Sequence, residues 1–139
     1  MMVSLVLVIS FLSLSLLHFA WALGVKWGFE SVLPTDLEGN RVLNPKMKDS
    51  LIVGIGLGLF SVFYYLDYAA ITIIPHPFLE NAIYWLIPTI FLFRSIGDFK
   101  YVGFFKKIKT TRFGKSDTRY FAPLCLTIAV LGYFLAIVN

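Results

Sequence analysis

The sequence predicts an all-α integral membrane protein, a four-helix bundle with both termini outside, and three observations predict it. Four apolar runs, each close to the ~20 residues a bilayer core requires, alternate with polar stretches. All twelve Lys and Arg residues fall in two of those stretches, Lys26–Asp49 and Arg94–Arg119. Lys and Arg of short loops stay on the cytoplasmic side, and an even number of predicted crossings separates the two stretches, so they share one face. Finally, a chain of 139 residues that is 58% hydrophobic and 14% charged, with mean hydropathy +0.80, is too apolar for an ordinary soluble domain.

The whole chain, residues 1–139, reads as one transmembrane domain. The first span, Val3–Leu23, lacks a basic leading segment and so resembles a signal peptide poorly. Lys26 just behind it favours an outside N-terminus. Residues 25–49 then form a cytoplasmic loop with four basic and four acidic residues, punctuated by Pro34, Gly39, Asn40 and Pro45. Turns and one short interfacial helix are expected there, with Trp27 and Phe29 at headgroup level. The second span covers Ser50–Ile74, with Asp49 and Ser50 as N-cap candidates. Pro75-His76-Pro77 reads as a tight hairpin turn into the third span, Phe78–Ile96, with Pro77 in its first turn where a missing N–H costs nothing.

The second cytoplasmic stretch, residues 94–119, holds eight basic and two acidic residues. Aromatic and aliphatic side chains interleave with its lysines, the pattern of a basic amphipathic segment lying on anionic lipid. Lys100, Lys106, Lys107, Lys109, Arg112 and Lys115 are the expected headgroup contacts. The fourth span, Tyr120–Val138, ends the chain. It contains Cys125, the one cysteine, which has no partner for a disulfide and reads as a small apolar residue.

Few residues in the spans can carry chemistry. His18 lies deep in span one, and an ionisable group within a span is by default a functional candidate; its structural alternative is an interhelical hydrogen bond. Arg94 and Asp98 stand one helical turn apart at the cytoplasmic end of span three, where opposite charges can meet. If the first and third spans touch, His18, Arg94 and Asp98 form one polar cluster at the inner mouth of the bundle. Asp67, His76 and Glu80 near the outer rim do not form a recognised ligand spacing, so no metal site is expected. Gly54 and Gly58 make a GxxxG that lets two helices approach closely, within the bundle or against a partner. Pro88 should kink span three. Motifs for metal, thiol or phosphate-loop chemistry are absent, and no cofactor is implied.

Three blocks add a resemblance: Leu17-His18-Phe19-Ala20-Trp21-Ala22-Leu23-Gly24, the run from Arg94 to Lys106, and Asp117-Thr118-Arg119-Tyr120-Phe121-Ala122-Pro123-Leu124-Cys125-Leu126. Together they resemble a bacterial family of small four-span membrane proteins known only as a domain of unknown function, over essentially the whole chain. The resemblance implies that His18 and Trp21 match its helix-one motif, Arg94, Gly97, Asp98, Gly103 and Phe105 its central motif, and Asp117, Pro123 and Leu124 its last. This chain departs at Val25, where a second glycine is usual, and at Ala122, where a serine is usual, which counts against a nucleophile there. The resemblance implies a fold and no activity. It places the candidate polar cluster, His18, Trp21, Arg94, Asp98 and Asp117, at the cytoplasmic helix ends.

The expected setting is the bacterial inner membrane, with anionic headgroups and other membrane subunits, or a second copy, as partners and no nucleic acid. Three functions are compatible with these residues. The leading expectation is a non-enzymatic accessory subunit of a larger membrane assembly. The alternatives are a membrane enzyme or carrier with a small-molecule or lipid site around the polar cluster, and a surface protein that binds anionic lipid.

Overall fold

The computed structural model describes residues 2–72 and 74–139. Its elements are α1 (Met2–Ala22), α2 (Phe29–Val32), α3 (Met47–Tyr68), α4 (Pro77–Ile96), α5 (Arg112–Ser116), a π-turn over Asp117–Phe121, and α6 (Ala122–Val138). Among the described residues there is no strand, only an isolated bridge between Thr35 and Arg41. Three helices are long and apolar enough to cross a membrane: α1, α3 and the continuous helical stretch Arg112–Val138. α4 has 20 residues but carries Glu80, Asn81 and Arg94, and it falls outside that group by composition.

The residues that end each helix set its length. α1 closes on Gly24 at φ +93°, with the Val25 amide donating to the Ala20 carbonyl and the Gly24 amide to the Trp21 carbonyl, which satisfies two orphan carbonyls. α3 closes by the same pattern, Ile71 to Leu66 and Ala70 to Asp67, but with Ala70 at φ +54° in the place glycine usually takes. The helix therefore stops at Tyr68 although the apolar run continues towards Ile74; Ile73 in that run lies outside the described residues. α3 also begins at Met47, before the expected caps. Asp49 sits in its first turn and accepts the Lys46 amide at 2.7 Å instead. Pro77 takes the first position of α4, as expected.

The helices pack as two antiparallel pairs, α1 with α3 and α4 with α6, joined through α1 and α6 and through aromatic rings at the centre. Small residues set the first pair. Ser15 Oγ donates to the Gly54 carbonyl at 2.7 Å, and Ser61 Oγ to the Val8 carbonyl at 3.0 Å. A Cβ on Gly54 would meet Phe19 and His18 at 3.4 Å, and one on Gly58 would meet Ser15 Oγ at 3.3 Å. The GxxxG face is thus spent inside the bundle on α1. In the second pair Gly132 lies against Pro88, where an added Cβ would come within 2.8 Å of the proline ring. Phe11 stacks on Tyr64 and meets Phe60 and Phe91 edge-on, tying α1, α3 and α4 at mid-height.

The distribution of polarity is inverted relative to a water-soluble bundle. Ser4, Ser15, Ser61 and Ser95 are buried, while Ile9, Leu16, Ile52, Leu59, Leu86 and Ile137 face outward. α1 and α6 are apolar all round, which in a helix at the surface of a small protein fits lipid as the surrounding solvent.

Candidate functional site

The polar groups of interest gather at the end of the bundle where α1 and α4 finish and α3 and α6 begin. Arg94 lies in the last turn of α4. Its partner is Asp117, at 3.0 Å from Nη2 to Oδ1, and not Asp98 one turn further on. The expected Arg94–Asp98 contact fails because α4 ends at Ile96 and Gly97 turns the chain at φ +90°. Asp98 instead closes its own turn. Its Oδ1 accepts the amides of Lys100, Tyr101 and Val102 at 2.9, 2.7 and 2.9 Å. Partial desolvation raises the Asp98 pKa, but those backbone donors outweigh it and hold the group below the ordinary value of 3.8.

Asp117 is fully buried and accepts from three directions. Oδ1 takes Arg94; Oδ2 takes the Gly103 amide at 2.7 Å and Lys106 Nζ at 3.0 Å. Lys106 completes its set with the Gly103 carbonyl at 2.8 Å and Thr118 Oγ1 at 2.6 Å. Lys106 is only 1% exposed, so it is no headgroup contact, contrary to the expectation from the lysine pattern. Its stem is withdrawn because the loop folds back on the α6 entrance to neutralise Asp117. Lys100, Lys107, Lys109, Arg112 and Lys115 remain exposed. The expected amphipathic surface segment is accordingly a compact, largely non-helical loop over 97–111. A π-turn presents Asp117: the Ala122 amide reaches back to the Asp117 carbonyl, one residue further than in an α-helix. Pro123, which has no N–H and crowds the turn before it, follows directly.

Beside this lock lies a cavity of about 420 Å³. Its walls are mainly apolar, with Leu17, Leu57, Phe91, Phe121 and Leu124 among them, and loop one floors it through Phe29, Leu33 and Pro45. Trp21 fixes that floor: its Nε1 donates to the Trp27 carbonyl at 2.9 Å, and its ring meets both His18 and Phe29 edge-on. His18 and Arg94 both line the cavity, as do Cys125 and Asp49. His18 Nδ1 and Arg94 Nη1 are buried and have no hydrogen-bond partner, which is costly unless something else supplies one.

Of the predicted polar cluster, then, His18, Trp21 and Arg94 share one cavity, Asp117 stands behind Arg94 as its counter-ion, and Asp98 lies apart in an exposed turn. Sequence reasoning missed Lys106 as Asp117's second partner. A signal was present: stretch 94–119 has only two acids among eight bases, so a buried acid there draws more than one cation. At the opposite end Asp67 accepts Tyr84 Oη at 2.6 Å and Asn139 Nδ2 at 3.2 Å, beside an open polar cavity of about 680 Å³ that Glu80 also lines.

No curated protein and no solved structure is significantly similar to the chain. The profile of a family described as a protein of unknown function, DUF3995, matches residues 11–132, a stretch that takes in both the cavity residues and the Asp117 lock. With most of its length matched, the chain belongs to that family, DUF3995.

Proposed function

We propose that this is a four-pass protein of the bacterial inner membrane, with both termini outside, and that it binds a small molecule between the helix ends at the cytoplasmic mouth of the bundle. α4 supports the fourth crossing: its 20 residues span ~30 Å. Its charges sit near its two ends, and Leu79, Leu86, Ile90 and Phe93 face outward. Contact between α2 and α5 supports one shared side for the two basic stretches, and the excess of Lys and Arg there supports a cytoplasmic side.

The single observation that carries the binding function is the cavity itself, apolar-walled and lined by His18 and Arg94 from different helices, each with a buried nitrogen that lacks a partner. An accessory role in a larger assembly has less support, because the glycine face of α3 that would receive a partner's helix is covered by α1. Attachment of loop two to anionic lipid is favoured by Phe99 and Phe105, both exposed with ring centroids 6.5 Å apart, next to Lys100 and Lys107. That contact is compatible with ligand binding and would orient the mouth at the surface.

Membrane-impermeant thiol labelling tests the arrangement, using single cysteines in a Cys125→Ala background. Glu38→Cys and Lys107→Cys are expected to react only from the cytoplasmic side, and Phe78→Cys only from outside. Labelling of Glu38→Cys and Lys107→Cys from opposite sides refutes the topology. For the cavity, a neutral alkyl bromide such as bromododecanol should quench Trp21 fluorescence saturably, in a protein whose other tryptophans are Phe. Cys125→Phe, which fills the cavity, should abolish that quenching; if quenching persists, the cavity is not the binding site.

A further inference from the structure

We infer that the ligand of this cavity is a single-chain carboxylate, an anionic amphiphile with its head on Arg94 and His18 and its chain between the helices. This deepens the small-molecule function proposed above and rests on it. Charge comes first. The lock beside the cavity contains two cations, Arg94 and Lys106, and one carboxylate, Asp117, so it carries one uncompensated positive charge. Lys106 is sealed away, with three acceptors already on its ammonium. The unspent charge is therefore available only through Arg94, whose Nη2 is committed to Asp117 while Nη1 is buried and unpartnered. A monoanion balances the lock's one positive charge, whereas a dianion would exceed it and would also meet the Asp49 carboxylate on the cavity wall.

Donor geometry selects the head group. His18 and Arg94 line the cavity, and each carries one buried side-chain nitrogen without a partner, Nδ1 and Nη1. A carboxylate head that meets the partly exposed Arg94 guanidinium forms charge-assisted hydrogen bonds of the kind guanidinium groups favour, with the His18 imidazole on the same wall. Asp49, the acidic residue on the cavity wall, is exposed and already accepts the Lys46 amide.

Size and lining select the tail. A volume of about 420 Å³ lies in the lower part of the range of roughly 300–1,000 Å³ usual for small-ligand sites. Leu57, Phe91 and Leu124 supply an apolar wall for one alkyl chain. Trp21 meets His18 edge-on and places an indole beside the head group.

The test compares bromododecanoate with bromododecanol in zwitterionic nanodiscs, reading quenching of Trp21 as the only tryptophan. The acid is expected to bind tighter than the alcohol by about tenfold or more, the worth of one charge-assisted hydrogen bond. Arg94→Lys keeps the charge facing Asp117 but loses the second nitrogen, and should bring the acid close to the alcohol. Where that variant does not fold, the comparison of the two probes on the unaltered protein decides alone. Equal saturable binding of acid and alcohol overturns the carboxylate ligand and leaves the small-molecule site standing. No saturable quenching by either probe overturns both. Acid preference unchanged in a folded Arg94→Lys protein also overturns the assignment of the head group.

Discussion

Lys106 Nζ stands 3.0 Å from Asp117 Oδ2, with neither side chain exposed to solvent. Arg94 holds the other oxygen, so one buried carboxylate ties α4, the loop after it and the start of α6 into a single unit. The removal of one partner from such a group costs more than the pair contributes, because a buried charge is left without compensation. Asp117→Ala strips the counter-ion from two cations and should lose about 3–5 kcal/mol. Lys106→Met should cost clearly less, since Arg94 still neutralises Asp117 and a methionine fills the lysine's path. Thermal unfolding in one detergent measures the order; a Lys106→Met protein less stable than Asp117→Ala would contradict the shared-carboxylate arrangement.

Gly97 and Gly103 bring two backbone segments into direct contact behind that lock. A Cβ on Gly97 would lie 1.7 Å from the Val102 carbonyl oxygen, and one on Gly103 would lie 2.3 Å from the Ile96 carbonyl oxygen. Both residues also have φ near +90°, where side chains are strained regardless of space. Alanine at either position should therefore cost at least about 3 kcal/mol and separate the loop from Asp117. Faster amide exchange at Gly103 or its alanine replacement, whose N–H bonds Asp117 in the native protein, reports that separation.

Much of this arrangement is legible in the residues. The apolar runs give α1, α3 and α6, and the polar residues at the helix ends place His18, Trp21, Arg94 and Asp117 at one mouth. The finer partnerships are not legible, for physical reasons. The end of α3 is hidden because Ala70 takes a left-handed conformation that sequence signals reserve for glycine. Lys106 looks like its exposed neighbours in composition, and only the fold of the 97–111 loop decides which lysine turns inward. Arg94 has acids at a helical spacing and at a long one. The nearer acid loses because the Lys100, Tyr101 and Val102 amides hold it in its own turn.

The bundle's glycines should respond differently to the same substitution. At Gly54 an added methyl group meets its neighbours at 3.4 Å, an ordinary contact, and alanine is the better helix former by up to about 1 kcal/mol. Gly54→Ala should leave stability unchanged or slightly raised. At Gly132 the methyl would come within 2.8 Å of Pro88, part of a rigid ring in a packed helix. Gly132→Ala should cost about 1–3 kcal/mol by overpacking. Unfolding of the two variants side by side tests the contrast, and a Gly54→Ala protein that unfolds first would show that the α1–α3 seam is the tighter one.

Asp98 gives the loop an acid limit. Its carboxylate is held below the ordinary value of 3.8: desolvation alone would raise it, and the amides of Val102, Lys100 and Tyr101 together reverse that. A folded-state value below the unfolded one means the stabilisation is fully present above the ordinary value and fades as pH falls through the lower folded value. Neutral conditions should therefore show protected amides at Lys100, Tyr101 and Val102, and protection should fall only when the pH drops below about 4. Asp98→Asn keeps a side-chain acceptor but no titrating group, so its loop should exchange somewhat faster at neutral pH and lose the acid dependence. An acid-induced rise in exchange that survives in Asp98→Asn would show that the transition does not belong to Asp98.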